Sequence, residues 1–338
     1  MKAYVVPTGS RSIESLRAVE RPDPRPGPGQ ALIRVHAAAL NFRDKAVATG
    51  DYFGGAVPRD TIPLSDGAGE VVAVGPGVIR VREGDRVMGT FFQTPPDQPR
   101  LSPPAPLGSP LDGMLAEQVV LYEEGLVRIP GSLSYEEAAT LPCAAVTAWH
   151  ALMVAGRPVI PGNTVLILGT GGVSCFALQF ARAAGARVLI TSSSDAKLEK
   201  ARELGAAAGI NYSQNPDWHR KVLELTDGRG VDCVVEVGGS GTLARSYEAL
   251  ASGGKIGLIG VLTGPGGDTD PHRIMLKGGQ LHGVFVGDRN MFEDMNRAIV
   301  ACGIRPIIDR VFPFEEAGAA YRHHASELFM GKVVIRCC

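Results

Sequence analysis

Thr164-Val165-Leu166-Ile167-Leu168 runs directly into Gly169-Thr170-Gly171-Gly172-Val173-Ser174. The first five residues carry no charge, as a strand buried on both faces of a parallel sheet requires. The next six place glycine where a chain must turn sharply from strand to helix. Gly169 permits the tight turn, and Gly171 lets the backbone approach a diphosphate, whose charge a helix N-terminus favours. Gly172 adds a further bare position. Ser174 stands where a third glycine is usual, but a small side chain there still allows close helix–strand packing. With a strand before it and a helix after it, the turn reads as a dinucleotide-binding element rather than a plain strand-to-helix connection.

Downstream the pattern alternates. Helix Val173–Ala184 is predicted to end at Gly185, followed by strand Arg187–Thr191, helix Ala196–Leu204 and a short strand at Ala208–Asn211. Helix 216–226, strand Val231–Val237, helix 242–250 and strand Gly254–Gly260 continue the series. Such a βαβ run predicts an α/β fold with a doubly wound parallel sheet. Residues 289–338 add one helix, 291–302, and then short strands closing with Gly331-Lys332-Val333-Val334-Ile335. Upstream, residues 1–125 read as short strands such as Ala31–Ala38 and Gly69–Gly75, broken by Gly and Pro, which suggests a small barrel or sandwich. Ser134 is an N-cap for a helix opening at Tyr135. Seven prolines between Thr94 and Pro110 predict a surface loop.

The tip of the second strand of the series decides the nucleotide. An acidic residue there bonds the ribose 2′-hydroxyl of NAD. Here the tip reads Thr191-Ser192-Ser193-Ser194. Asp195 comes later, as a helix N-terminal cap. Hydroxyls with Lys197 nearby suit a 2′-phosphate, so NADP(H) is favoured over NAD.

The bulk numbers set the class. At 338 residues the chain predicts two domains. Net charge is −1, from 34 basic and 35 acidic residues, with no long basic run, so neither nucleic acid nor a membrane surface is an expected partner. No apolar run nears the roughly 20 residues of a membrane span, and the N-terminus lacks a signal-peptide core, so a cytoplasmic location is the default. Six cysteines form no C-x-x-C pair. Cys175 and Cys233 read as buried fillers, Cys337 and Cys338 as an exposed tail.

Several further motifs lie along the chain: Asn41-Phe42-Arg43-Asp44 with Gly50, Asp66-Gly67-Ala68-Gly69-Glu70-Val71, Val74-Gly75 with Gly84-Asp85-Arg86-Val87, and Leu141-Pro142-Cys143-Ala144-Ala145-Val146-Thr147-Ala148. With the glycine turn and the terminal Gly331-Lys332-Val333-Val334, the chain resembles the medium-chain dehydrogenase/reductase superfamily, in its zinc-independent, quinone-oxidoreductase-like and alcohol dehydrogenase-like branch. The resemblance implies a GroES-like β-barrel domain built from both ends of the chain, 1–130 and 286–338, around a Rossmann domain at 131–285. Zinc members carry a cysteine in the first motif and Gly-His-Glu in the second. Here the first motif has Asn41, and Ser65 stands where the histidine would be, so no metal is expected. His36 reads as a barrel residue.

The resemblance further implies that Asn41 and Thr147 line the nicotinamide pocket, and that Tyr212 lies near the 2′-phosphate. Val237-Gly238, Ile259-Gly260 and Phe285-Val286 would border the cofactor, with Gly169, Thr170, Gly171, Gly172, Val173, Ser192, Ser193 and Lys197 completing the binding set. It also implies a homodimer through edge strands, with strand 254–262 as the candidate edge.

Without zinc, simple alcohol oxidation loses its Lewis acid. Acceptors that spread negative charge, such as quinones and enones, need less help. Asn41, Asp44 and Tyr52 are the candidate catalytic residues, Tyr52 being the best phenol in the region. Ala46 stands where some quinone reductases have tyrosine. Two alternatives stay open: a zinc-free alcohol or aldehyde dehydrogenase of broad carbonyl range, and an NADP-binding protein with a structural or regulatory role.

Overall fold

The computed structural model of the chain describes residues 1–93, 105–264, 266 and 270–337. It divides into two compact units, Met1–Ala144 with Asp288–Cys338, and Ala145–Gly287. The sequence reading placed the joins at 130/131 and 285/286. Helix Tyr135–Ala139 packs on strands Gln30–Ala39 and Asp66–Val74, which carries the first join onward. That helix starts as predicted: Ser134 accepts from the Glu137 N–H at 3.1 Å, and Glu137 returns its carboxylate to the Ser134 N–H at 2.9 Å.

The first unit is built on a seven-stranded sheet. Its order runs Ile308–Pro313, Lys332–Arg336, Gln30–Ala39, Asp66–Val74, Arg86–Gly89, Leu126–Arg128, with Gln118–Tyr122 also on Gln30–Ala39. The two C-terminal strands are parallel to each other. Lys332–Arg336 then pairs antiparallel with Gln30–Ala39, Val334 opposite Ala39. Ala39 in turn lies opposite Asp66. This row gathers residues 40, 66 and 332 at one end of the sheet. Val35, Val71, Val87, Met114, Tyr321 and Val333 belong to its buried core. Two α-helices of this unit were not anticipated, Phe42–Thr49 and Ala317–Ala325. The first carries Arg43, Asp44 and Lys45 in a row and the second is rich in alanine, so neither offers a clear apolar stripe to read. Most of the proline-rich segment, 94–104, lies outside the described residues; Ala105–Pro106 pairs with Phe92–Gln93 as a two-residue ladder. Cys337 is buried, not an exposed tail, because its N–H extends the sheet to the His36 carbonyl at 2.8 Å. Cys338 lies outside the described residues.

The second unit is a six-stranded parallel sheet ordered Ala208–Asn211, Arg187–Ser192, Thr164–Ile167, Val231–Glu236, Leu250–Leu258, Gln280–Gly283. Strand Thr164–Ile167 is fully buried, as its composition requires. The order reverses between it and Val231–Glu236, and a ligand crevice forms at such a switch point, at the carboxyl ends of the strands. Strand Leu250–Leu258 is interior, so the expected edge at 254–262 is incorrect. The edge on that side is Gln280–Gly283, a four-residue strand whose one large apolar residue, Leu281, makes no run to betray it. No helix among the described residues is long and apolar enough to cross a membrane.

Candidate active site

Helix Gly172–Ala183 begins at the glycine turn, with Gly171 as its N-cap. Gly169 has φ +72°, the left-handed region that glycine adopts without strain. A Cβ on Gly171 would meet no protein atom within 4 Å, so the bare backbone faces open space there. The first-turn N–H groups have no acceptor within the helix. A diphosphate fits this cradle. Ser174 is buried, and its hydroxyl donates to the Leu168 carbonyl at 2.7 Å, tying the helix back to the strand it follows. Thr191 Oγ1 accepts from the Gly169 N–H at 3.1 Å, which fixes the turn from the neighbouring strand.

The serine run separates into three environments. Ser192 is 3% exposed, with its hydroxyl 3.5 Å from Thr170 Oγ1 and accepting from the Ser194 N–H at 3.3 Å. It is therefore turned inward, and Ser193 is the exposed hydroxyl of the tip. Ser194, not Asp195, caps the following helix, accepting from the Lys197 N–H at 3.4 Å. The Asp195 carboxylate instead accepts from Asn211 Nδ2 at 2.8 Å and Gln214 Nε2 at 2.9 Å. Each of its oxygens is engaged by one of these two amides. Tyr212 is 42% exposed and is hung beside the tip by its N–H on the Ser192 carbonyl, 3.0 Å.

The remaining cofactor candidates meet in pairs. The Ile259 and Gly260 N–H groups both donate to the Glu236 carbonyl, at 2.9 and 3.1 Å, which sets Ile259-Gly260 beside Val237-Gly238. A Cβ at Gly260 would run into the Val237 carbonyl. Glu236, a residue not expected at the site from its place in an apolar run, is fully buried beneath this corner. Its Oε1 accepts from the N–H groups of Gly238 (2.8 Å) and Gly239 (3.0 Å) and from Thr242 Oγ1 (2.6 Å), while Ser246 donates to Oε2. Thr147 is buried on the helical turn Val146–Trp149. One turn on, His150 Nδ1 lies 2.7 Å from the Val286 carbonyl. A carbonyl only accepts, so Nδ1 carries the proton. Val286 has φ +56°, a strained conformation for a β-branched residue, and this bond helps hold it. Phe285 beside it is exposed.

In the first unit, Asn41 precedes helix Phe42–Thr49, and Asp44 Oδ2 accepts its N–H at 2.7 Å. Asp44 is 1% exposed, so it stands behind Asn41 rather than where a ligand could touch it. Desolvation pushes its carboxyl up to about 6, against Arg43 at 3.6 Å and the Asn41 N–H, which pull it down. Arg43 lies over the Tyr52 ring, 4.9 Å from its centroid, and donates to the carbonyls of Leu107 (2.8 Å) and Ser109 (3.1 Å). Burial raises the half-buried Tyr52 phenol above its ordinary value despite the guanidinium, so it stays protonated through the neutral range.

Lys332 belongs to the terminal Gly331-Lys332-Val333-Val334 motif and was not expected at the site. Its side chain is 2% exposed. The ammonium donates to the Leu40 carbonyl at 2.7 Å and to Asn41 Oδ1 at 2.5 Å, and pairs with Asp66 Oδ2 at 3.4 Å. Asp66 is fully buried and also accepts from Ser65 Oγ at 2.8 Å and the Cys143 N–H at 3.3 Å. These residues do not fit a zinc ion. Zinc takes thiolate, imidazole and carboxylate donors. Among the described residues no three of His, Cys, Asp and Glu converge, and a lysine ammonium occupies the space between Asn41 and Asp66.

Residues 27–131 match the alcohol dehydrogenase GroES-like domain, and residues 172–301 match the family described as zinc-binding dehydrogenase. A zinc-type alcohol dehydrogenase-like protein of Schizosaccharomyces pombe is 42% identical, over 98% of each chain. Among solved structures, an NAD-dependent alcohol dehydrogenase is 33% identical, with a TM-score of 0.91 and full coverage of both chains. A mycobacterial protein in complex with NADPH is 28% identical, with a TM-score of 0.83 and full coverage of both chains. The chain belongs to the medium-chain dehydrogenase/reductase superfamily of oxidoreductases, in its zinc-type alcohol dehydrogenase-like and quinone oxidoreductase branch.

Proposed function

We propose that the protein is a zinc-independent, NADP(H)-dependent oxidoreductase that reduces a quinone, an enone or another activated carbonyl. The observation that carries this proposal is the buried Lys332 ammonium between Asn41 Oδ1 and Asp66 Oδ2. A fixed monovalent cation already neutralises the one carboxylate of this cluster that a metal could use. When bound, the nicotinamide supplies the hydride. The backbone of Gly169–Val173 holds the diphosphate, and Ser193, Lys197 and Tyr212 flank the 2′-phosphate. Val237-Gly238, Ile259-Gly260, Thr147 and Phe285-Val286 border the rest of the cofactor. Asn41 offers a hydrogen bond to the reacting ligand, Asp44 positions Asn41, and Tyr52 is the candidate proton donor, a phenol that stays protonated in the neutral range. The engaged state of Asp195 supports NADP(H) over NAD.

One finding favours a second substrate class. The relatives include proteins described as alcohol dehydrogenases, so a zinc-free alcohol or aldehyde dehydrogenase is the competing assignment. A substrate panel separates the two. Turnover of quinones and enones with NADPH, in protein carrying no stoichiometric zinc by elemental analysis, supports the proposal. Alcohol oxidation as the dominant activity, or about one zinc per chain, sinks it. Tight NADPH binding with no turnover of any acceptor would point to a binding role instead. For the nucleotide, Ser193→Asp is the decisive variant. Placing a carboxylate at the exposed tip should swing preference toward NAD by about 10- to 100-fold, and a wild type that prefers NAD refutes the assignment. The protein is also proposed to be a cytoplasmic homodimer, with the exposed ladder of Gln280–Gly283 as the pairing edge.

A further inference from the structure

The Asn41 amide is held in one orientation. Lys332 Nζ lies 2.5 Å from the side-chain atom assigned as Oδ1. An ammonium has three donors and no acceptor, so only the amide oxygen can face it at that distance. A flip would set N–H groups against a cation. The lysine has no freedom to swing away, being 2% exposed and also held by the Leu40 carbonyl at 2.7 Å and Asp66 at 3.4 Å. Asn41's backbone is fixed by Asp44 through the 2.7 Å bond to its N–H. What remains of the amide is Nδ2. It has no hydrogen-bond partner among the described residues and no accessible surface, so a ligand reaches it only by displacing the side chains packed over it.

A shielded amide donor without an acceptor is costly, because its lost hydration is not replaced. Accepting from a cation draws electron density to the amide oxygen and makes the N–H pair a stronger donor. From this geometry we infer that Lys332 is a positioning residue that locks and polarises Asn41, so that Nδ2 presents a hydrogen bond to a carbonyl oxygen of the bound ligand. The target is an uncharged acceptor with exposed lone pairs. Two sources supply one, the carbonyl of the hydride acceptor and the carboxamide of the cofactor. A bond to the hydride acceptor's oxygen would strengthen as negative charge develops there, which is how such donors accelerate reactions. The inference deepens the proposed carbonyl reduction and rests on it for the identity of the ligand.

Its test combines kinetics with a direct view of the amide. Lys332→Met removes the lock, and Lys332→Gln keeps a donor for Oδ1 without the charge. The Met variant is expected to lose kcat on an enone by about 10- to 100-fold while the NADPH KM moves by less than about threefold. The Gln variant should recover most of the loss. Asn41→Asp is the control should Lys332→Met fail to fold: it keeps the pairing with Lys332 and removes the donor, and should lose kcat by about 100-fold. Wild-type turnover in Asn41→Asp, or equal damage in Met and Gln, overturns the inference.

The second arm needs no turnover. In protein labelled with ¹⁵N-asparagine, the Asn41 NH₂ pair is identified by its loss in Asn41→Asp. A shift with NADP⁺ alone assigns the donor to the carboxamide. A further shift on adding cyclohexenone assigns it to the hydride acceptor. No shift with either overturns the inference, even in a protein that reduces enones. If no acceptor is reduced but the pair still responds, the functional proposal fails and the positioning role stands.

Discussion

The glycine turn and the lysine cluster are two ways of building a functional site. The turn is contiguous, six residues from Gly169 to Ser174, and works through what is missing: side chains that would keep a ligand from the backbone. The cluster is scattered over residues 40–44, 65–66, 143 and 332, and works through side chains whose charges and hydrogen bonds are matched. The first is a property of local spacing. The second exists only because Lys332–Arg336 pairs with Gln30–Ala39, which pairs with Asp66–Val74. A site of the first kind should fail when bulk is added, and one of the second kind when charge is changed.

The strongest test of that contrast is Gly171→Val. The added Cβ meets no protein atom within 4 Å, so the fold should tolerate it. The ligand should not. Cofactor Kd, followed by NADPH fluorescence, is expected to rise about 100-fold or more, or about 2.7 kcal/mol. The melting midpoint should stay within about 3 °C of wild type. An unchanged Kd would mean that the diphosphate does not lie on this turn.

The cluster should answer to charge and pH instead. Asp44 has its carboxyl raised from 3.8 to about 6 by burial. A raised acid favours the folded state fully below its unfolded pKa, and that contribution is lost as pH rises through its folded pKa. Wild type should therefore lose stability relative to Asp44→Asn between about pH 4 and 6, by on the order of 3 kcal/mol. Urea midpoints of the two proteins across that range measure it. Parallel curves would show that Asp44 is not desolvated as its surroundings require, and the contrast between the two sites would weaken.

The same contrast explains what could be read from the sequence. The alternation of strands and helices from Thr164 to Leu258 was legible because buried parallel strands are uncharged and their helices are capped and stopped by recognisable residues. Ser134 with Glu137 was legible for the same local reason. Strand Gln280–Gly283 was not, since four residues with a single large apolar one, Leu281, show neither sustained alternation nor an apolar run. Helix Ala317–Ala325 was hidden among alanines. Lys332 and Glu236 were invisible as site residues because a charged residue next to a hydrophobic strand gives no sign of which face it takes. Ser192 and Ser193 looked equivalent in the sequence, and only the two-residue period of the strand tip turns one inward and the other out.

Ser174 is where the two kinds of site meet, since a side chain stands in a motif otherwise made of bare backbone. Were it merely a tolerated substitute for glycine, Ser174→Gly would be neutral or better. The structure argues the reverse, because Ser174 Oγ donates to the Leu168 carbonyl at 2.7 Å inside the joint between strand and helix. Ser174→Ala should cost about 1 kcal/mol, the usual worth of such a bond, and lower the melting midpoint by about 2–4 °C. Ser174→Gly should cost up to about 1 kcal/mol more by freeing the unfolded chain. Cofactor Kd should change by less than about threefold in both, since the hydroxyl is committed to the protein and not to the ligand. A glycine variant that is more stable than wild type would return Ser174 to the status of an unexplained deviation. One that binds cofactor tenfold more weakly would place its hydroxyl on the ligand instead.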